Sequence, residues 1–346
     1  MKKAQRKPLI GIITAQKGNG AIAGNSRLFK SLQQKLISSG GISFVFTVEG
    51  IHENEIDGFV FSVRKNSWMK SQFPFPDVVY NRIPDRTVEQ SEEVQNFFLR
   101  LKEKGIPFFN PCFIDKYELY QCFQHDSIIS KFLPKTSLIE NKQNLLKLLE
   151  THSSIYLKPC NSSKGNGIYR LAQSPSLSLT GRKQQILYES YEQFWQEWGE
   201  KLLRKRYIAQ EDIQSEQYNG KRFDFRILAH ASGTHYVLTG IGIRQSQKQD
   251  ITTHIPSGGR LVPYQLLQTA SHDQFIQTII PPIGKTLSER YGFFGEFSID
   301  AAVSKTGQYY IYEVNSKPMS FDEPEIESAK IAQLCRLFCQ LAKNDI

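Results

Sequence analysis

The chain has 346 residues, enough to bury a proper core and to form about two or three lobes. Hydrophobic residues at 40% and charged residues at 22% are ordinary for a globular protein and exclude a disordered, collagen-like or coiled-coil chain. The net charge of +9 would draw anionic ligands, but its residues are dispersed; a solvated basic surface accounts for them better than a nucleic-acid face.

No apolar run approaches the ~18 residues of a membrane span, so no membrane partner is expected. Met1-Lys2-Lys3, the apolar Pro8 to Ala15 and Ala21-Ile22-Ala23 mimic a secretory signal, but Lys17, Gly18, Asn19 and Gly20 interrupt it. A first β-strand from Pro8 to Thr14 is the better reading, with residence in the cytosol. Cys112, Cys122, Cys160, Cys335 and Cys339 include no CxxC pair and read as buried thiols in a reducing compartment. Cys335 and Cys339 lie on an apolar helical stripe with Ile331, Leu334, Phe338 and Leu341.

In chain order, apolar runs at Leu9 to Thr14, Ile42 to Thr47, Gly58 to Val63, Asp77 to Tyr80 and Ile106 to Phe109 predict strands. Helical patterns fall at Ser26 to Ser38 and Glu92 to Lys104. This alternation implies βαβ units and a mostly parallel sheet, with a boundary at Asn110-Pro111. Asp115 caps a helix running to about Ser130, Pro134-Lys135-Thr136 leads into a strand, and Lys142 to Leu149 forms another helix. From Ser153 the texture becomes antiparallel, an α+β arrangement, and an amphipathic helix from about Glu325 to Lys343 closes the chain.

Three segments carry chemistry. The first, Ile155 to Arg170, holds Lys158, Ser162, Ser163, Lys164, Gly165 and Gly167. It lacks a Walker pattern and reads as strand, flexible loop, strand, able to fold over phosphates with backbone N–H groups and hydroxyls. Many surface hairpins have the same composition. In the second, strand alternation puts Arg222, Asp224 and Arg226 on one face; an exposed charge ladder would look alike. Functionally, Arg226 would clamp a phosphate or developing acyl phosphate, with Asp224 orienting it.

The third is a hairpin, Gly295 to Asn315, turning near Gly307. If Thr306-Gly307 is a two-residue loop, Asp300 sits opposite Glu313 and Ser298 opposite Asn315, all on one face. Opposed carboxylates repel unless a divalent cation joins them, and Asp, Glu and Asn oxygens suit magnesium. A three-residue loop with a glycine bulge would put the two carboxylates on opposite faces. The metal site requires the even loop, and the chemistry selects it.

These segments in this order resemble the ATP-grasp superfamily from roughly Asp115 to Lys317. PDVVYNRI (Pro76 to Ile83), LKPCNSSKGNGI, RFDFRIL, HIPSGGR with Gly258-Gly259, and EVNSKP resemble the YheC/YheD-type endospore coat-associated family. The resemblance implies an α/β pre-ATP-grasp lobe over residues 1–112. A small ATP-grasp lobe with the glycine-rich hairpin would follow over 113–212, and a large lobe with the metal site over 213–346. It implies ATP and Mg2+ as cofactors. Lys116 and Lys158 would contact phosphates, and Gln210, Glu211 and Ile213 would form the hinge that reads the adenine edge. Asp300, Glu313 and Asn315 would be the magnesium ligands and Arg226 a basic residue near the reacting phosphates, catalytic together with Lys158, while Arg82 and Lys317 would face the second substrate. The implied reaction joins an unidentified carboxylate to an amine or thiol through an acyl phosphate, with the Ser162 to Gly167 loop excluding water and Thr252 to Gly259 as a second cover. A silent nucleotide-binding coat protein, in contact with spore-coat proteins, and a kinase acting on a hydroxyl remain alternatives. Lys317 before Pro318, and Met319 where glycine is common, depart from many ATP-grasp ligases and leave the acceptor side open.

Overall fold

The first strand, β1 (Leu9–Ile13), is buried at every position, as a strand is when both faces of its sheet are covered. In this computed structural model, residues 7–162, 165–173, 175–182, 184–247, 253 and 258–343 are described. After β1 come α1 (Ser26–Ser38), β2 (Ile42–Ile51), β3 (Glu55–Ser62), β4 (Ser67–Pro74), β5 (Val78–Asn81), α2 (Arg86–Glu89), α3 (Glu92–Glu103) and β6 (Phe108–Phe109). They build a six-stranded sheet in the order β4-β3-β2-β1-β5-β6. Its β2-β1-β5-β6 part is parallel, as expected, while β3 and β4 extend it as an antiparallel hairpin. The sequence reading missed β4, whose mostly exposed edge position removes the apolar signal.

The second sheet follows α4 (Lys116–Gln124), a short 3-10 turn at Ile129–Phe132, β7 (Thr136–Leu138) and α5 (Lys142–His152). The single helix expected from Asp115 to about Ser130 is therefore divided, because Asp126 accepts from the N–H groups of Ile128 and Ile129 and starts a new turn. Asp115 caps α4 through the N–H groups of Tyr117 and Glu118. Then come β8 (Ser154–Pro159), β9 (Tyr169–Ala172), β10 (Leu177–Thr180), β11 (Gln185–Tyr188), α6 (Tyr191–Arg204) and β12 (Tyr207–Glu211), in the sheet order β11-β10-β9-β8-β12-β7. Its apolar face packs on α5 and α6 through Leu145, Leu157, Phe194 and Leu202.

The third sheet contains β13 (Gln217–Tyr218), β14 (Lys221–Ser232), β15 (His235–Gln245), β16 (Arg260–Val262), β17 (Glu296–Val303) and β18 (Tyr309–Asn315). The helix α7 (Ala270–Tyr291) covers one face with Phe275, Ile276, Ile279, Ile280 and Ile283.

The last helix, α8 (Pro324–Ala342), returns to the first sheet. Its Leu334, Cys335, Leu337, Phe338 and Leu341 join Ile10, Ile12, Leu28 and Leu32 in one core, so the cysteine stripe serves packing. The opposite face of that sheet is covered by Val94, Phe97, Phe98 and Leu101 of α3. Burying one such side chain contributes about 1.5–3 kcal/mol. Leu337→Ala should lower the unfolding free energy by about 2–5 kcal/mol in urea denaturation; a loss below about 1 kcal/mol would mean α8 adds little to this core.

Candidate active site

The three sheets border one cavity of about 1190 Å³, lined by Arg82, Lys116, Lys158, Gln210, Glu211, Ile213, Arg226, Asp300, Glu313, Asn315 and Lys317. Its polar centre is built on β17 and β18. Ser304 N–H bonds to the Gln308 carbonyl at 2.8 Å and Gly307 N–H to the Ser304 carbonyl at 2.9 Å. The loop is thus the odd one, Lys305, Thr306 and Gly307, with Gly307 at φ 84°, a left-handed conformation that suits glycine.

That turn sets Val303 against Tyr309 and Ala301 against Ile311, a phase that would part the two carboxylates. A bulge at Tyr312 reverses the slip. Beyond it Asp300 faces Glu313, Ile299 faces Val314 and Ser298 faces Asn315. The expected even turn is corrected, and the expected register is present because two one-residue shifts cancel. The bulged Tyr312 is fixed by a 3.0 Å hydrogen bond between its hydroxyl and Ser215, with its ring 5.5 Å from Lys158 Nζ.

Facing carboxylates need counter-charge. Arg226 lies directly across the ladder from Asp300, with Nη1 3.1 Å from Oδ1. Lys116, from the first turn of α4, places Nζ 2.9 Å from Glu313 Oε1. Asn315 Nδ2 donates to Asp300 Oδ2 at 3.3 Å, which leaves its amide oxygen available as a ligand. Two carboxylates and an amide oxygen fit a magnesium ion. Among the described residues no group of three or more His, Cys, Asp and Glu forms a closed metal cage. A partial set fits an ion that keeps water and phosphate oxygens.

The strands β8 and β9 pair antiparallel around the glycine-rich loop. Gly165 and Gly167 adopt φ 65° and 72°, and a Cβ on Gly167 would lie 2.9 Å from Pro159 Cγ and 3.0 Å from the Tyr207 hydroxyl. The Ser162 carbonyl accepts from Lys116 Nζ at 2.6 Å. Ser163 and Lys164 lie outside the described residues, as do 252 and 254–257 of the second expected cover.

Lys158 donates to Gln210 Oε1 at 2.5 Å and sits between the Tyr156 and Tyr312 rings. Burial pushes it down to about 8; Glu313 opposes this and Lys116 adds to it. Gln210 also donates to Thr136 Oγ1 at 2.9 Å. The Glu211 carboxylate accepts from the Lys135 N–H at 2.8 Å and lies 3.5 Å from His152.

Asp224 does not orient Arg226. Its Oδ2 is 3.5 Å from Arg222 and accepts from Thr253 Oγ1 at 2.6 Å, because the carboxylate across the sheet from Arg226 is Asp300. Arg82 is held by Glu296 at 3.1 Å and the Pro318 carbonyl at 3.0 Å. Lys317 contacts Glu89 and donates to the Ile83 carbonyl at 3.1 Å; both cations form the cavity wall.

Sequence reasoning missed the residues beneath these. Glu296 is fully buried against Tyr80, Arg82, Lys330 and His230. Burial holds His230 near 4, so it is neutral there. Glu89 accepts from Asn81 at 2.7 Å and the Phe113 N–H at 2.6 Å besides Lys317. Arg244 also lines the cavity, buried on β15, with Asp322 at 3.7 Å. Asn110, at φ 57°, staples the ends of β17 and β18. Its amide donates to the carbonyls of Glu296 (2.8 Å) and Ser316, and its oxygen accepts from the Gly295 and Glu296 N–H groups. Asn-Pro had signalled only a boundary.

This fold and this cavity define an ATP-grasp protein. The chain belongs to the YheC/D-like ATP-grasp family, which it matches over residues 105–343. Endospore coat-associated protein YheD of Bacillus subtilis (strain 168) is 28% identical over 336 residues, covering 90% of this chain and 72% of that protein. Endospore coat-associated protein YheC of the same organism is 21% identical over 303 residues, covering 80% and 81%. The crystal structure of D-alanyl-alanine synthetase A from Vibrio cholerae superposes with a TM-score of 0.58 at 11% identity over 98% of each chain, a likeness of fold. Among the described residues no helix is long and apolar enough to cross a membrane.

Lys158 gives the cavity a pH dependence with a definite sign. Below about 8 the folded protein carries its charge, and above about 8 it loses it. Affinity for the anionic probe tripolyphosphate should fall as pH rises past 8, and Lys158→Met should remove most of that dependence. Stability moves the other way. The unfolded lysine titrates near 10.5, so between about 8 and 10.5 the unfolded chain binds more protons and stability rises with pH. A flat binding profile from pH 7 to 9 in the wild type would contradict the assignment.

Proposed function

We propose that this protein is an ATP- and Mg2+-dependent ligase that joins a carboxylate to an amine or thiol through an acyl phosphate. The observation that carries the reading is the register: Asp300 opposite Glu313, Ser298 opposite Asn315, and Arg226 across the ladder. Lys116 and Lys158 border the same cavity. A magnesium ion held by Asp300, Glu313 and Asn315 would neutralise charge on the transferred phosphoryl group.

The chain's own residues then have separate tasks. Lys116 and Lys158 hold phosphate oxygens, and the hairpin with Ser162, Ser163, Gly165 and Gly167 cradles them with N–H groups and hydroxyls. Gln210, Glu211 and Ile213, at and just beyond the end of β12, offer the edge against which adenine is read. Arg226 stabilises charge at the reacting carboxyl. In the first step a substrate carboxylate oxygen bonds to the terminal phosphorus and ADP leaves. In the second, the amine or thiol bonds to the acyl carbon, phosphate leaves, and the nucleophile loses its proton. Arg82 and Lys317 wall the end of the cavity that takes the second substrate. Association with the endospore coat is proposed from the names of YheD and YheC.

The deciding experiment follows Mg-dependent ADP release with pooled carboxylates and amines, and product masses. A ligase releases ADP only with both pools and yields a C–N or C–S adduct. A phosphorylated hydroxyl would indicate a kinase, and tight Mg–ATP binding without turnover a coat scaffold. Asp300→Asn and Glu313→Gln should each weaken Mg-dependent nucleotide binding by about 2 kcal/mol or more with the melting temperature nearly kept. Deleting Tyr312 should remove the bulge yet leave Asp300 opposite Glu313 and Ser298 opposite Asn315, so the magnesium dependence should be kept. Loss of magnesium dependence in the deletion variant, with the fold intact, would contradict the register read from the bulge.

A further inference from the structure

The arginines lining the cavity are Arg82, Arg86, Arg222, Arg226 and Arg244. Arg82 has Glu296 at 3.1 Å, Arg222 has Asp224 at 3.5 Å, Arg226 has Asp300 at 3.1 Å and Arg244 has Asp322 at 3.7 Å. Among the described residues Arg86 alone of this set has no carboxylate within 4.0 Å. Among the described residues its one hydrogen bond runs from Nη2 to the Ile114 carbonyl at 2.7 Å. The guanidinium lies over the Phe113 ring at 5.0 Å, and that ring is also contacted by Lys317 Nζ at 4.3 Å. Arg86 is thus held in place with its remaining N–H groups uncommitted.

A half-buried cation without a partner is unfavourable; burial lowers its proton affinity, opposed by the more distant charges of Glu89, Asp115 and Glu313. Two of the nearby acids are engaged elsewhere. Asp85 Oδ1 caps α2 through the N–H groups of Thr87 and Val88, and Glu89 takes Lys317 and Asn81. Arg86 belongs to the first lobe, whereas Lys158 and Arg226 stand on the second and third sheets. Thr87 and Gln90 add exposed polar groups to the same wall.

We propose that Arg86 docks an oxyanion, and that the second substrate carries it as a carboxylate distinct from its reacting group. A planar guanidinium held at one edge favours a carboxylate or phosphate over a neutral polar group. The inference rests on the ligase reading above and narrows it to substrates with an extra anionic group. The terminal phosphate of the nucleotide has the same chemistry, so the test separates the two sources.

Wild type, Arg86→Gln and Arg86→Lys would be titrated calorimetrically with Mg–AMPPNP and Mg–ADP. The Mg–AMPPNP complexes would then be titrated with linear dicarboxylates from malonate to adipate. The expected result is that Arg86→Gln weakens the best dicarboxylate by roughly tenfold to a hundredfold while both nucleotides bind as before. Arg86→Lys should restore part of the loss. Loss of AMPPNP but not ADP affinity would place the terminal phosphate at Arg86 and overturn the substrate assignment. Dicarboxylate binding that is absent in the wild type or insensitive to Arg86 would overturn it too. So would equal losses for all ligands with a lowered melting temperature. Failure of wild type to bind AMPPNP with magnesium would instead sink the nucleotide reading itself.

Discussion

Two carboxylates facing each other across a β-ladder are the constraint around which this protein is arranged. Asp300 and Glu313 would repel if left alone, and a sheet built for stability would not pair them. The protein meets the repulsion with one cation per acid, and the cations come from different places. Arg226 arrives from the neighbouring strand, whereas Lys116 arrives from a helix that leads into the second sheet. Counter-charge at the acids therefore ties the two sheets to one cavity. A divalent cation and phosphate oxygens at that point would exchange these internal pairs for stronger ones.

The geometry needs support because a strand slip of one residue would undo it. The turn at Gly307 introduces such a slip and the bulge at Tyr312 removes it. Asn110 then fixes the far ends of both strands, bonding Gly295 and Glu296 before the hairpin and Ser316 after it. Beneath the cavity wall, Glu296 and Glu89 bind Arg82 and Lys317 in places nearly closed to water. Buried pairs of this kind add little net stability, but removing one partner typically costs about 3–5 kcal/mol. They hold the wall in one shape. With Arg82 and Lys317 so occupied, the free guanidinium on that side is Arg86, among the described residues.

Much of the fold was legible because local patterns agreed with it. The periodicity over Ser26–Ser38 marks α1, and Asp115 announces α4 through its cap. The alternation of apolar runs such as Leu9 to Thr14 with helical patterns marked the βαβ units and the parallel part of the first sheet. Legibility failed where partners lie far away in sequence. The bulged Tyr312 is held by a hydroxyl contact with Ser215, and nothing in a window around Gly307 shows it. The register was reached through the chemistry of the acids while the turn was misjudged. Asp224 was given to Arg226 by proximity along one strand, but the ladder gives Arg226 to Asp300. Glu89, Asn110 and Glu296 were invisible for the same reason, since their hydrogen-bond partners stand on other elements.

The central claim is that the opposed acids form a cation site once a nucleotide is present. A crystal grown with Mn2+ and AMPPNP, measured for manganese anomalous scattering, tests it directly. The predicted result is a peak bounded by Asp300, Glu313 and the Asn315 amide oxygen, with phosphate oxygens completing the shell. Bound nucleotide without a peak there, or a peak held by other residues, would contradict the account.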